Sequence, residues 1–334
     1  MILKGTNRII LFGGNRALLS FALNAKNNHI ETIIFTDEYR LDSLINEKGT
    51  LRDNFEHEGI PYIETDTLSK SIVAKYVDKS TIGLSICTFW IFKRDIIELF
   101  SGRLLNYHGA RLPAERGAGA YTWKILSQSR IGGLTIHKVE EGLDTGDIVI
   151  CREFCFPTTC RIPIDFMNHN EHVEKELFDE FIAAVIEGKE IKTIPQLHGY
   201  SRYWPLLNTP LNGYINWEWS FRDIELFINA FDDPNKGAST FCGNIRVHFK
   251  KCFSDASDGE FHPFQAGIIY RISREGVFVA AKGGCLFVKD IFDEDGNRIN
   301  NKIKIGSRVY TPYSYLENAK MAKIIYNSKG LKTE

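Results

Sequence analysis

The chain has 334 residues, 43% hydrophobic and 25% charged, the balance of a globular protein with room for two domains. A net charge of −1 excludes a global field drawing it to nucleic acid or anionic lipid. No run approaches the roughly 18 apolar residues of a membrane span, and the start, MILKGTNRIILFGGN, has neither a long apolar segment nor a cleavage site, so a cytoplasmic protein is expected.

The first half alternates short apolar runs with amphipathic stretches. Arg8 to Phe12 predicts a buried strand and Arg16 to Asn24 the helix after it. Glu31 to Thr36, Pro61 to Glu64, Thr81 to Cys87 and Leu104 to Tyr107 predict further strands. Such alternation implies right-handed crossovers and a mostly parallel α/β sheet, Rossmann-like, with helices on both faces. Ala118 to Ser127 predicts a helix, Gly133 to Val139 a strand, and Ile164 to Gly188 a long helix opened by Pro163. After about residue 195 the composition changes. Residues 199–219 are rich in Trp, Tyr, Asn and Pro, Arg222 to Phe231 predicts a short helix, and from Ser239 to Lys289 strand follows strand. This predicts two domains, 1–198 and 199–334, the second a linker with a small OB-like barrel.

Seven scattered cysteines fit reduced thiols. Cys151, Cys155 and Cys160 lack a CxxC pair and a histidine at zinc-finger spacing, so no metal site is expected.

The densest chemistry lies in LLNYHGARLPAERGAGAYTW, residues 104–123. Asn106 and His108 are two apart at a predicted strand end, which puts both on one face where open α/β sheets bind ligands. The glycines and proline that follow build a loop. Glu140 to Asp147, EEGLDTGD, reads first as a surface turn, but a carboxylate there could orient a strand-end imidazole. His137, on the strand before it, reads as a packed or rim residue. Phe12-Gly13-Gly14-Asn15 is not GxGxxG, yet Gly14 and Asn15 could hold a substrate phosphate at the helix start.

Asn106-Tyr107-His108-Gly109, Leu112-Pro113 and Arg116-Gly117 resemble the signature of folate-dependent formyltransferases, as do Gly133 to His137 and Gly142 to Asp147. The signature is shared by methionyl-tRNA formyltransferase, glycinamide ribonucleotide transformylase and the sugar N-formyltransferases. The resemblance implies a catalytic trio of Asn106, His108 and Asp144, with N10-formyltetrahydrofolate as co-substrate. It places the folate against Trp90, Ile91 and Phe92, in Ser85 to Phe92, and against Glu140, Glu141, Gly142 and Leu143. It also covers Ile215 to Trp217 and the barrel around Gly267 and Gly276. One departure is Ala110-Arg111-Leu112-Pro113, where the family usually reads Ser-Leu-Leu-Pro. Arg111 suggests a different acceptor or a phosphate contact, and Arg116 could share that contact or brace the loop.

Three acceptors compete. The ribonucleotide enzyme resembles only the first domain. A tRNA enzyme would want a basic second half, but residues 200–334 hold 18 Lys+Arg against 15 Asp+Glu. The aromatic, loop-rich Tyr203 to Gly213 looks more like the sugar N-formyltransferases. The expected acceptor is therefore a nucleotide-linked amino sugar for a surface polysaccharide such as O-antigen, with no nucleic-acid or membrane partner. The exposed aromatic strand Gly276 to Ala281 suggests a homodimer.

Overall fold

A computed structural model describes residues 1–327 and 330–332. Five parallel strands form the middle of the first half: β1 (Arg8–Gly13), β2 (Glu31–Thr36), β3 (Tyr62–Glu64), β4 (Thr81–Ile86) and β5 (Leu104–His108). Two antiparallel strands, β6 (Ile131–Lys138) and β7 (Ile148–Cys155), extend one edge, giving the order β7-β6-β5-β4-β1-β2-β3.

Period-two alternation gives this sheet two apolar faces. Ile9 and Leu11 of β1 face α1 (Arg16–Asn27) and α2 (Pro163–Ile186), while Ile10 and Phe12 face Phe35, Phe92 and Phe100. In α1 the buried Ala17, Leu18, Phe21, Ala22 and Ala25 recur at helical spacing, and Asn15 caps it by accepting from the Leu18 N–H at 2.9 Å. Phe21 meets Phe178 of α2 edge to face, centroids 5.1 Å apart.

The second half holds α3 (Phe221–Ala230) and six antiparallel strands: β8 (Ala238–Cys242), β9 (Ile245–Asp255), β10 (Ile269–Ile272), β11 (Val277–Ala281), β12 (Gly284–Phe292) and β13 (Val309–Tyr310). Their order is β10-β11-β12-β9-β8-β13, and a bridge from Ile268 to Arg308 joins the two ends. The sheet closes on itself, the small barrel that the strand-rich composition predicts.

β7 was absent from the sequence reading, although IVICREFC alternates as an edge strand should. The cores of the two halves also interpenetrate. Ile125 of the short helix Ala120–Leu126, together with Phe156 and Phe166, packs with Ile224, Phe227, Val247 and Leu286. No helix among the described residues is long and apolar enough to cross a membrane.

Candidate active site

Asn106 and His108 project from one face of β5. Tyr107, between them, turns the other way and donates its hydroxyl to Glu174 of α2 at 2.6 Å. β6 runs antiparallel alongside, with Asn106 opposite His137 and His108 opposite Thr135. His137 Nδ1 lies 2.8 Å from the Lys138 carbonyl, which can only accept, so that nitrogen carries the proton. Nε2 lies 3.1 Å from the Asn106 amide nitrogen and holds that amide in place.

Asp144 folds back over this face. Its carboxylate stands 3.8 Å from His108 Nδ1 and 3.6 Å from His137 Nε2, and accepts the Gly117 N–H at 2.9 Å. Burial raises its pKa, but the His137 and His108 rings and the Gly117 N–H outweigh burial and hold it at about 2. Asp144 is thus an anion at any working pH. His108 Nε2 donates to the Glu115 carbonyl at 2.6 Å, which fixes the ring against the loop that follows β5.

That loop is built around close backbone approaches. Gly117 has φ +95°, and a Cβ there would stand 2.2 Å from the Trp204 carbonyl; a Cβ on Gly146 would stand 2.0 Å from the Lys138 carbonyl. Arg116–Gly117 pairs in parallel with Tyr203–Trp204, so the chain leaving the first half is hydrogen-bonded to the loop that follows β5. Arg116 is buried and gives its guanidinium to the Gln196 amide oxygen at 2.7 and 3.2 Å, and to His198 Nδ1 at 3.5 Å. Gln196 in turn donates to the carbonyls of Asp144 and Gly146, at 2.9 and 2.7 Å. Sequence reasoning passed over Gln196, which follows Pro195 in a stretch without periodicity, and it read His137 as a packed or rim residue.

The other predicted residues fall in several places. Arg111 lies beside His108 but engages Glu115, at 3.3 Å through Nη2 and 3.2 Å through its backbone N–H. Gly14 lies against Leu51 and Arg40, and Asn15 spends its side chain on the helix cap. Phe92 is buried against Phe12, centroids 5.1 Å apart, so its side chain is core and only its backbone is free for a ligand. Trp90 donates its indole N–H to the Asp66 carbonyl at 3.1 Å. Ile91 and Leu143 are exposed apolar side chains, and Glu140, Glu141 and Gly142 are exposed beside Leu143. An Arg94–Glu141 ion pair of 3.9 Å ties the two segments together.

A cavity of about 400 Å³ opens beside His108, walled by Glu115, Gly117, Trp123, Lys124, Arg202 and Trp204 among others. Lys124 is buried and donates to Glu115 at 2.6 Å. Burial pushes the Glu115 carboxyl up, and Lys124 and Arg111 more than reverse this, keeping it below its ordinary range. Among the described residues no group of three or more His, Cys, Asp or Glu side chains could hold a metal.

Residues 8–181 match the formyl transferase family and residues 209–304 its C-terminal domain. A methionyl-tRNA formyltransferase of Acetivibrio thermocellus is 26% identical over 215 residues, which cover 63% of this chain and 65% of the relative. This chain thus spans just under two thirds of that relative's length. Two solved structures share the fold. WlaRD, a sugar 3N-formyl transferase solved with dTDP and 5-N-formyl-THF, has a TM-score of 0.61 at 21% identity, covering 84% of this chain and 97% of its own. The N-formyltransferase of Helicobacter canadensis, solved with folinic acid and dTDP-3-aminofucose, has a TM-score of 0.62 at 19% identity, covering 84% and 98%. With the family matched over more than half its length, on both sides of the linker, the chain belongs to the formyl transferase family.

Proposed function

We propose that the chain moves the formyl group of N10-formyltetrahydrofolate to the primary amine of a nucleotide-linked amino sugar. The observation that carries the transfer chemistry is the convergence of Asn106, His108 and an ionised Asp144 on one sheet face. Ile91 and Leu143, apolar and exposed on segments tied by Arg94 and Glu141, suit a flat pterin.

The acceptor amine attacks the formyl carbon, and the carbonyl electron pair moves onto oxygen. An amide hydrogen of Asn106 donates to that oxyanion, an interaction worth about 3–4 kcal/mol in sites of this kind. Collapse breaks the bond from carbon to N10. The proton lost by the amine passes through the His108–Asp144 pair to N10, so one formyl group is exchanged for one hydrogen. The Asp144 carboxylate, 3.8 Å from His108 Nδ1, faces the ring through which that proton passes.

The cavity beside His108 supports a small acceptor, and the names of the two solved relatives agree with an amino sugar carried on a nucleotide. The sequence relatives bear a tRNA enzyme's name, so initiator tRNA is the competing acceptor. We further propose a cytoplasmic protein of two structural units meeting near residue 198, acting in surface polysaccharide synthesis; the strand Gly276 to Ala281, expected as an exposed dimer edge, is instead buried in the barrel apart from the half-buried Phe278. The test is incubation with N10-formyltetrahydrofolate and a panel of dTDP-, UDP- and GDP-linked amino sugars, read by mass spectrometry. Gain of one formyl group on a sugar nucleotide supports the reading; formylation of charged tRNA alone overturns the acceptor and leaves the chemistry.

A further inference from the structure

The cavity beside His108 is strongly positive. Arg111, Arg116, Lys124 and Arg202 line it against a single carboxylate, Glu115. Arg111 and Lys124 share that carboxylate, and the buried Arg116 is held by the neutral Gln196 and the His198 ring. Arg202 differs from all three. It is exposed, and its guanidinium makes no hydrogen bond or ion pair with any described residue. Its backbone is nevertheless fixed: its N–H donates to the Pro113 carbonyl at 3.3 Å and its carbonyl accepts the Arg116 N–H at 2.9 Å.

Two residues on, Trp204 pairs with Gly117 and lines the same cavity, its ring 5.1 Å from that of Trp123. Trp123 and Leu126 also line a neighbouring apolar cavity of about 600 Å³ between the helix Ala120–Leu126, the linker and α3. The space beside His108 therefore leads past an unpaired guanidinium, carried on a fixed backbone, to an aromatic wall.

We propose that Arg202 and Trp204 form the acceptor's recognition subsite, Arg202 binding the diphosphate and Trp204 offering the nucleobase a stacking face. This rests on the nucleotide-linked acceptor proposed above. The reacting amine belongs at His108, so the far end of the same molecule reaches the tryptophan. A guanidinium suits a diphosphate by its forked donors, and an indole suits any base by its π face. The linker thereby selects the acceptor while β5 and β6 perform the transfer.

Calorimetric titration of the full chain with UDP and with dTDP, neither carrying an amino sugar, tests this apart from turnover. The wild type is expected to bind at least one of them. Arg202→Ala should weaken that binding by about ten- to a hundredfold and flatten its salt dependence, and Arg202→Lys should recover part of it. Trp204→Ala should weaken it by about tenfold and Trp204→Phe should restore it, since only the stacking face is needed. Unchanged affinity in Arg202→Ala, or binding of neither diphosphate by the wild type at millimolar concentration, overturns the subsite. If the wild type formylates a nucleotide amino sugar while Arg202→Ala and Trp204→Ala keep its KM, the subsite falls and the function stands. If the diphosphates bind through Arg202 and Trp204 but no nucleotide amino sugar is formylated, the subsite stands and the acceptor reading falls.

Discussion

Asn106 and His137 face each other across the antiparallel pairing of β5 and β6, the amide nitrogen of one 3.1 Å from Nε2 of the other. This contact fixes the orientation of the amide. His137→Ala should therefore lower kcat by about tenfold, in line with one lost hydrogen bond of roughly 1 kcal/mol, while the acceptor KM stays within a few-fold. Steady-state kinetics on a folded variant decide it; a change confined to KM would mean His137 orients nothing in the transition state.

Asn106→Ala and Asp144→Ala should each cost about 10² or more in kcat, as loss of a preorganised donor or of a proton-relay partner does. Single-turnover rates with saturating folate check this. Wild-type turnover in either variant would remove that residue from the mechanism.

Asp144 makes stability depend on acid in a definite sense. Its folded pKa of about 2 lies below the ordinary carboxylate value near 4, so folding favours the anion. That contribution is fully present above about pH 4 and is lost as pH falls through about 2. Its size is on the order of 2–3 kcal/mol at neutral pH. Melting temperatures measured from pH 7 to pH 2.5 should show the gap between wild type and Asp144→Asn closing below about pH 4. A gap constant across that range would show that the carboxylate is not held as the structure indicates.

Gln196 separates donor from acceptor roles cleanly. Gln196→Ala strands the Arg116 guanidinium and two carbonyls, costing about 1–3 kcal/mol or more. Gln196→Glu keeps a partner for Arg116 but places a carboxylate against the Asp144 and Gly146 carbonyls. It should be the more stable of the two and still lose activity, as thermal melts and kcat will show. If both variants keep wild-type kcat, the 144–146 turn needs no brace.

A chain cut after residue 198 should not behave as an independent domain. Ile125, Phe156 and Phe166 would lose their partners on α3 and in the barrel, and Gly117 would lose its strand neighbour. Binding of a hydrophobic dye and a broadened melt are expected. A sharp melt with full folate-analogue binding would show that the first half folds alone.

The sheet was legible because its strands are short apolar runs with period-two faces, such as Ile9 to Phe12 in β1. That Asn106 and His108 share a face was legible by spacing alone, and that Asp144 folds back toward them was implied by the resemblance of their segments to a family signature. β7 was missed because its alternation is half exposed and sits beside a conspicuous acidic turn. Gln196 and Arg202 were not legible as site residues, and Trp204 only as one aromatic of the segment Tyr203 to Gly213. They reach the site through backbone pairing between distant segments, which leaves no periodic trace. Nor could spacing reveal that Ile125 and Phe166 complete a core whose other members lie beyond residue 214.

The parallel pairing of Arg116–Gly117 with Tyr203–Trp204 constrains how such a chain can diverge. Residues 118–201 form a closed loop pinned at both ends, with Asp144 and Gln196 inside it. Insertions within that loop are tolerable where they bulge outward at the surface. A single residue gained or lost between Gln196 and Tyr203 would slide the pairing, turning both Arg202 and Trp204 away from the cavity. New acceptors are therefore reached most readily by changing side chains at fixed length in this segment, with the formyl chemistry on β5 and β6 left untouched.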